Sequence, residues 1–329
     1  MTVGEVLDRK VELLRAAYRA AQPLAADLLR GAGGDPVGAE LSLETARLAI
    51  ARDHGYASWQ AAREHAADVI DTRFEAAADA IHAGELTTLA GLLDKHPSLV
   101  SMRSPFPHHA ALLHYVAANG IEVDRQQQSP PDAPAIMRLL LERGAAPDAV
   151  CDLYGGGPGA TTLCLLVSSL FPAAAGVQAA LVEELCRGGA AVDGLENDGL
   201  PLWTAITFGY TEAAEALVRC GARADNLVFH AAVGNLAAVR GYFGSDGALT
   251  QGLGSLRIGA SGPELPAAHL LEYALIWAAA HDRRAVVEFL LGRQPDLSVT
   301  EPLFGATARG AASYHGNTEL AALIEAHAA

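Results

Sequence analysis

Apolar residues recur every three or four positions along most of the chain, in segments of about ten residues. This spacing is clear in residues 212–222 (EAAEALVRCGA), 285–295 (AVVEFLLGRQP) and 318–328 (TELAALIEAHA). Each of these segments follows another helical segment. A period close to 3.6 residues places these side chains on one face of a helix. Glycine near the end of many segments suits the left-handed backbone that closes a helix. The pattern predicts pairs of short amphipathic helices.

The helix pairs repeat along the chain. ALLHYVAANG (111–120), LPLWTAITFG (200–209) and TARGAASYHG (307–316) have the form of a ten-residue first helix, and IMRLLLERGAAPDA (136–149) and ALVEELCRGGAAVDG (180–194) that of a second helix. The glycine that ends a second helix recurs after 32 residues between Gly189 and Gly221, and Asp282 stands 34 residues before Gly316 at the first-helix glycine position. Blocks similar to TPLHxA and LLxxGAxxD with a period near 33 are typical of ankyrin repeats.

On these motifs, about residues 72–329 resemble the ankyrin-repeat family. The resemblance implies an all-α ankyrin-repeat solenoid of about seven irregular helix-turn-helix units, numbered here as repeats one to seven, starting near residues 72, 105, 152, 196, 225, 269 and 302. Each repeat would bury its apolar face only against its neighbours. Irregular segments interrupt the array, among them IEVDRQQQSPPDA (121–133), YGGGPG (154–159), SLFPAAAGVQ (169–178) and a long connection at 244–268.

The first 70 residues follow a different pattern and predict a helical N-terminal cap, so that the domains are 1–70 and 72–329. Val3, Leu7, Leu14 and Tyr18 share one face of a first helix, and a Gly-rich loop with Gly31, Gly33, Gly34 and Pro36 follows. Ser42 and Ser58 are placed to cap two further helices, with Gly55 at the end of the first. We expect this cap to cover the exposed end of repeat one.

The charge balance limits the classes of partner. The chain has 38 acidic and 23 basic residues, a formal net charge of −15, and only two lysines, Lys10 and Lys95. An acidic chain is poorly suited to bind nucleic acid, and no apolar run is long enough for a membrane span. Four scattered cysteines without a CxxC pair favour free thiols in a reducing, cytoplasmic setting, and the Ala- and Arg-rich composition favours a bacterial source.

Two sets of residues are candidates for binding. The family resemblance implies a concave groove lined by the fifth and eighth positions of the first helices, namely Asp79, His82, Tyr115, Thr204, Thr207, Trp277 and Tyr314, with His315 beside it. In the alternative reading, Tyr115 and Trp277 pack against neighbouring repeats. The second set comes from two polar blocks, 114–128 and 152–162, which stacked repeats would bring together: Tyr115, Asn119, Glu122, Arg125, Asp152 and Tyr154.

In that second set, Arg125 could hold an anion between two loops, or it could simply pair with Glu122 or Asp152. His108, His109 and His114 lie within seven residues and could ligate a metal. His114, however, falls on the fourth place of the TPLH motif, and the family resemblance implies that this histidine makes structural hydrogen bonds to the turn. His109, on an exposed hairpin with His108, remains a binding candidate. No nucleophile, metal or phosphate-loop motif is present, so we expect no catalytic residue, metal or cofactor.

Two functional hypotheses follow. The first is a non-catalytic protein-protein interaction module with an acidic, aromatic-containing groove and a basic or amphipathic protein partner, without nucleic acid or membrane binding. The second is a small-molecule or enzymatic site at the loops of repeats two and three. Binding of a ligand near Tyr115, Arg125 and Tyr154 would favour the second.

Overall fold

The computed structural model describes residues 1–31, 40–250 and 267–328. The loop around Gly33, Gly34 and Pro36 and most of the predicted connection 244–268 therefore lie outside the described residues. The chain divides into two compact units, Met1–Ala191 and Val192–Ala329. The predicted boundary at residues 70–72 falls inside the first of these, the N-terminal unit, and stays a prediction.

The N-terminal unit contains eleven helices among its described residues, besides short 3-10 turns and one small hairpin. The helices are α1 (Val3–Arg19), α2 (Pro23–Gly31), α3 (Leu43–Asp53), α4 (Trp59–Glu64), α5 (Thr72–Ala83), α6 (Leu86–Lys95), α7 (Leu112–Tyr115), α8 (Ala133–Glu142), α9 (Thr162–Leu166), α10 (Leu170–Ala174) and α11 (Gln178–Arg187). Strands β1 (Val150–Asp152) and β2 (Gly159–Thr161) pair antiparallel, with Cys151 opposite Ala160.

The cap helices begin where their polar residues predict. Thr2 and Glu5 form a reciprocal capping box at the start of α1. The hydroxyls of Ser42 and Ser58 accept the backbone N–H groups of Thr45 and Ala61, and so start α3 and α4 as predicted. Helices α1, α2 and α3 pack on one another around a core that also contains Phe106, from the segment before α7.

Stacking in the N-terminal unit joins like helices of successive repeats. The first helices α5, α7 and α9 pack in that order, and the second helices α6, α8 and α11 pack beside them. The predicted first helix at 111–120 is too long, because α7 ends at Tyr115. Ala118 (φ 48°) and Gly120 (φ 78°) take left-handed backbone conformations, which turn the chain into the 121–133 insertion.

The second, C-terminal unit contains four helix pairs among its described residues. They are α12 (Leu200–Thr207) with α13 (Thr211–Arg219), α14 (Leu227–Ala232) with α15 (Leu236–Gly241), α16 (Leu270–Ala280) with α17 (Arg284–Leu291), and α18 (Ala308–Tyr314) with α19 (Thr318–His327). First helices α14, α16 and α18 pack in a row, as do second helices α15, α17 and α19.

The predicted all-α fold is confirmed, since each of the seven predicted repeats contains a helix pair within the described residues. Alanine permits the close packing of first helices. Ala274, Ala278 and Ala279 of α16 are fully buried where it lies between α14 and α18. Within the described ranges no helix has the length and apolar character needed to cross a bilayer.

Candidate functional site

A buried ionic cluster occupies the junction of the cap with repeats one and two. Its centre is the Glu122 carboxylate, whose side chain is 0% exposed. Glu122 accepts hydrogen bonds from Lys10 Nζ at 2.9 Å, Tyr115 OH at 3.1 Å and His108 Nε2 at 3.2 Å. Buried charge is tolerated only when it is paired and fully hydrogen-bonded, which these donors provide.

The positive charges of Lys10 and Arg125 determine the protonation state of the Glu122 carboxyl. Burial opposes ionisation of Glu122, but the ammonium of Lys10 and the guanidinium of Arg125 hold the pKa of that carboxyl well below its usual range. Burial likewise opposes charge on Lys10, and Asp124 and Glu122 outweigh it, so the pKa of Lys10 is raised. Both groups are therefore charged at neutral pH, and each charge faces oppositely charged partners within the cluster.

Arg125 is held by carboxylates on all three guanidinium nitrogens. Nε and NH2 donate to Asp79 Oδ1 at 3.0 and 2.8 Å, NH2 also donates to Glu75 Oε2 at 2.8 Å, and NH1 lies 3.4 Å from Glu122. The guanidinium also lies over the Tyr115 ring, 5.6 Å from its centroid. The pairing of Arg125 with Glu122 is present, whereas Asp152 is not among its partners.

The cap enters this cluster at the end of α3. Asp53 Oδ1 accepts the backbone N–H of Val123 at 2.9 Å, and His54 Nε2 accepts from Lys10 Nζ at 2.9 Å while its Nδ1 donates to the Ile50 carbonyl. Burial, with the nearby Asp124 charge, raises the pKa of Asp53 to about 8, and burial lowers the pKa of His54 to about 3. These contacts place the cap against the insertion of repeat two, and the expected cover over the end of repeat one stays a prediction.

The two polar blocks do lie side by side. Tyr154 donates its hydroxyl hydrogen to Asn119 Oδ1 at 3.2 Å, and its backbone N–H to the Gly120 carbonyl at 2.7 Å. Asn119 Nδ2 in turn donates to Ser168 Oγ. Asp152 pairs with His109, Nδ1 to Oδ2 at 3.0 Å, on the surface. Tyr154 thus joins the two blocks directly, whereas Asn119 and Asp152 also pair with residues outside them.

The three neighbouring histidines have structural partners. His108 is fully buried, so its predicted exposure is wrong: the ring packs 5.9 Å from Phe106, and Nδ1 accepts the Ala110 N–H. His114 accepts the Ala111 N–H and donates Nε2–H to the Ala149 carbonyl at 2.8 Å. Across the described parts of the chain, no three His, Cys, Asp or Glu side chains form a group able to bind a metal.

The insertion also covers first-helix positions of repeat one. Gln128 Nε2 donates to the carbonyl of His82 at 3.0 Å, and His82 Nδ1 is buried without a hydrogen-bond partner. Asp79 is engaged by Arg125, as described above. Both predicted groove residues of repeat one therefore contact residues 125–128 of the same chain.

The C-terminal unit has an aromatic cavity of about 570 Å³ beside α16 and α18. Its floor includes Trp277, which is 4% exposed and packs edge-on against Trp203, with ring centroids 5.6 Å apart. Its rim carries large side chains with high exposure: Phe208 at 53%, Phe304 at 68% and Tyr314 at 86%. This combination of a packed floor and an exposed aromatic rim suits the burial of an apolar side chain from outside.

Four of the five candidates in this unit line the aromatic cavity, namely Thr207, Trp277, Tyr314 and His315. Thr204 is not among its lining residues; its carbonyl accepts the Thr207 hydroxyl at 3.1 Å. Glu301 is buried at the cavity edge and accepts the backbone N–H groups of Leu303, Phe304 and Ala306, which fixes the loop that presents Phe304.

Several members of both sites lie outside the residues that the sequence patterns single out. In the cluster these are Lys10, Asp53, His54, Glu75 and Asp124, and in the cavity Phe208 and Phe304. One signal was available for the first group, since Lys10 is one of two lysines in an arginine-rich chain. Its partner lies more than a hundred residues away, so no local pattern identifies the pair.

No protein-family model matches the chain, and no curated protein sequence matches it either. Among solved structures, the human ASB11 ankyrin repeat domain is similar at 20% identity and a TM-score of 0.41, over 78% of this chain and 98% of that chain. A structure of a predatory endopeptidase from Bdellovibrio bacteriovorus in complex with an immunity protein is similar at 18% identity and a TM-score of 0.38, over 77% and 97%. By its own helix pairs, the chain has an all-α, ankyrin-like repeat fold.

Proposed function

We propose that this protein is a non-catalytic protein-binding module whose aromatic cavity takes the apolar face of an amphipathic segment of a protein partner. The observation that carries the proposal is the exposure of Phe208, Phe304 and Tyr314 around one cavity with a buried tryptophan at its floor. Large apolar side chains grouped on a surface mark binding sites, and aromatic anchors supply much of the binding energy at interfaces.

The charge of the unit supports a basic partner. Residues 192–329 contain 15 acidic and 8 basic residues, which gives a formal net charge of −7. An acidic surface attracts positively charged partners, accelerates their association and makes it sensitive to salt. A segment with one apolar and one basic face would match both the cavity and this field.

The alternative site near Arg125 and Tyr154 has less support. A ligand anion would have to displace Glu75, Asp79 and Glu122 from the guanidinium of Arg125. Removing a partner from a buried ion pair is costly, on the order of 3–5 kcal/mol. The contacts of Arg125 instead support a role in holding the insertion on repeat one.

The test is peptide selection on the purified full chain, followed by affinity measurements. Peptides from a random display library are selected, labelled and titrated by fluorescence anisotropy against wild type and the variants Phe304→Ser and Tyr314→Ser. Both side chains are largely exposed, so the free energy of unfolding of each variant should lie within about 0.5 kcal/mol of the wild-type value. If these residues are anchors, each change weakens binding by about tenfold or more.

Leu170→Ser is the matched control, because Leu170 is 62% exposed in the N-terminal unit. It should leave peptide affinity unchanged. Intrinsic tryptophan emission gives a second readout, since Trp277 lines the cavity. Selected peptides that bind wild type and both cavity variants equally well would show that the aromatic cavity is not the binding site.

A further inference from the structure

One turn of the C-terminal unit carries a carboxylate where the other turns have glycine. Between the two helices of a pair, Gly209, Gly234 and Gly316 take left-handed backbone conformations with φ of 76–78°. Asp282 holds the same position between α16 and α17, with φ 56°. Glycine adopts this conformation without steric penalty, whereas a residue with a side chain does so at a cost in free energy.

The Asp282 side chain makes no stabilising contact, among the described residues, that would explain an aspartate at this position. Within residues 40–250 and 267–328, no hydrogen bond or ion pair of its carboxylate is found, and α17 begins without a side-chain cap. Aspartate tolerates the left-handed conformation better than most residues, but glycine would serve the turn equally well. The carboxylate is therefore available to a ligand.

The Asp282 side chain lines a polar recess of about 320 Å³, the turn recess, together with Thr211, Arg283, His315 and Asn317. His315 and Ala280 line both the turn recess and the aromatic cavity, so the two are adjacent. A partner side chain in the turn recess would lie next to one in the aromatic cavity.

The charges around the turn recess favour a cation. Arg283 NH2 pairs with Glu215 at 2.6 Å, and its Nε donates to the Ala232 carbonyl, so this positive charge is neutralised within the protein. His281 is buried, donates Nε2–H to the Ile206 carbonyl and accepts the Thr211 hydroxyl at Nδ1. Burial lowers the pKa of His281 to about 4 and also lowers that of His315, so both rings are neutral at pH 7. Among the described residues that line the turn recess, the Asp282 carboxylate is left as the charge without a partner.

We propose that the turn recess is a cation subsite, in which Asp282 binds a lysine or arginine side chain one helical turn from the apolar residue that fills the aromatic cavity. The inference rests on the proposed function, because it names the chemistry of the partner at that site. The cation subsite would make the protein select not only a basic segment but one in which a cationic residue follows the apolar anchor at a set spacing.

The experiment uses three short alanine-based helical peptides, acetylated and amidated. Each carries leucine and phenylalanine four residues apart as the apolar anchor, and they differ only in having lysine, glutamine or glutamate one turn further on. Affinities for the full chain are measured by fluorescence anisotropy at low and moderate salt, with wild type and Asp282→Gly. Glycine is the residue of the other turns, so this variant should be at least as stable as wild type.

Wild type should bind the lysine peptide about two- to fivefold more tightly than the glutamine peptide, the range of a partly exposed ion pair, and salt should reduce the difference. Asp282→Gly should abolish the preference and leave the glutamine peptide unaffected. Asp225→Asn is the matched control: it removes one exposed carboxylate outside both cavities and should keep the preference.

The two proposals fail in different ways. Equal binding of all three peptides to wild type, with loss of binding in Tyr314→Ser, would overturn the cation subsite and leave the aromatic cavity as the binding site. A lysine preference that survives in Asp282→Gly would also overturn the subsite. No binding of any peptide to wild type would contradict both proposals.

Discussion

Lys10 Nζ lies 2.9 Å from Glu122 Oε2, although 112 residues separate the two along the chain. The pair joins helix α1 of the cap to the insertion of repeat two, with both side chains largely or fully withdrawn from solvent. The cap is thus held by a buried ion pair as well as by apolar packing, and this relationship leads to the first prediction.

Lys10→Met should destabilise the N-terminal unit by about 3–5 kcal/mol, because it leaves the Glu122 charge buried with one cation fewer. Thermal or urea unfolding measures the change. The only other lysine supplies the control: Lys95 is exposed at the end of α6, and Lys95→Met should shift stability by less than about 0.5 kcal/mol. Equal effects of the two substitutions would contradict a structural role for the buried pair.

Asp53→Asn should make stability less dependent on pH. Burial and the charge of Asp124 raise the pKa of Asp53 from 3.8 in the unfolded chain to about 8. Between these values the folded state holds a proton that the unfolded state releases, so this group lowers the free energy of unfolding as pH rises. The slope from one such proton is at most about 1.4 kcal/mol per pH unit.

From pH 4 to pH 8, the free energy of unfolding of Asp53→Asn should therefore rise relative to that of wild type. Above pH 8 the difference should stay constant. The amide oxygen of asparagine can still accept the Val123 N–H. Asp68→Asn, at an exposed position, is the control and should give a difference that does not vary in this way. A constant difference for Asp53→Asn would refute the raised pKa.

Gly55→Ala should be more damaging than an alanine at an open left-handed glycine. A Cβ on Gly55 would lie 2.5 Å from Gly155 Cα, and the backbone there has φ 86°. At Gly176, φ is 69° and nothing lies within 4 Å of the added carbon. Gly176→Ala should cost about 1–2 kcal/mol for conformation alone, and Gly55→Ala about 1–3 kcal/mol more for the clash between cap and loop.

Denaturant unfolding of the two alanine variants separates these contributions, because only Gly55 combines the conformational cost with a backbone contact. Equal losses of stability would mean that the cap does not approach the 154–155 loop in solution.

His114→Phe should cost about 1–3 kcal/mol at pH 7, since the buried Ala111 N–H and the part-buried Ala149 carbonyl lose their partner. Burial lowers the pKa of His114 to about 4, so wild type loses the stability of the neutral ring as pH falls from 6.5 to 4. The phenylalanine of the variant does not bind a proton. The difference between the free energies of unfolding of wild type and His114→Phe should therefore narrow toward pH 4.

Unfolding curves at pH 7 and pH 4 test this narrowing, with the exposed His65→Phe as the control. A gap between His114→Phe and wild type that is the same at both pH values would show that the ring titrates normally or is not hydrogen-bonded as described.

Part of the site was open to sequence analysis. The repeat spacing predicted that the 114–128 and 152–162 blocks lie close together, and Tyr154 does contact Asn119. Thr207, Trp277, Tyr314 and His315 were selected by their place in the repeat and line one cavity. Phe304 was missed because it belongs to a loop outside the repeat pattern, held by hydrogen bonds to the buried Glu301.

The sequence by itself determined the helix pairs, their glycine turns and the capped starts at Ser42 and Ser58, because a helix and its ends depend on residues within about four positions of one another. Only the tertiary structure decided that Lys10 meets Glu122 and that Arg125 meets Glu75 and Asp79. Such pairs depend on how whole helices pack, and the hydrophobic effect that drives this packing is non-directional. A charged residue carries no local sign of which distant partner it will meet.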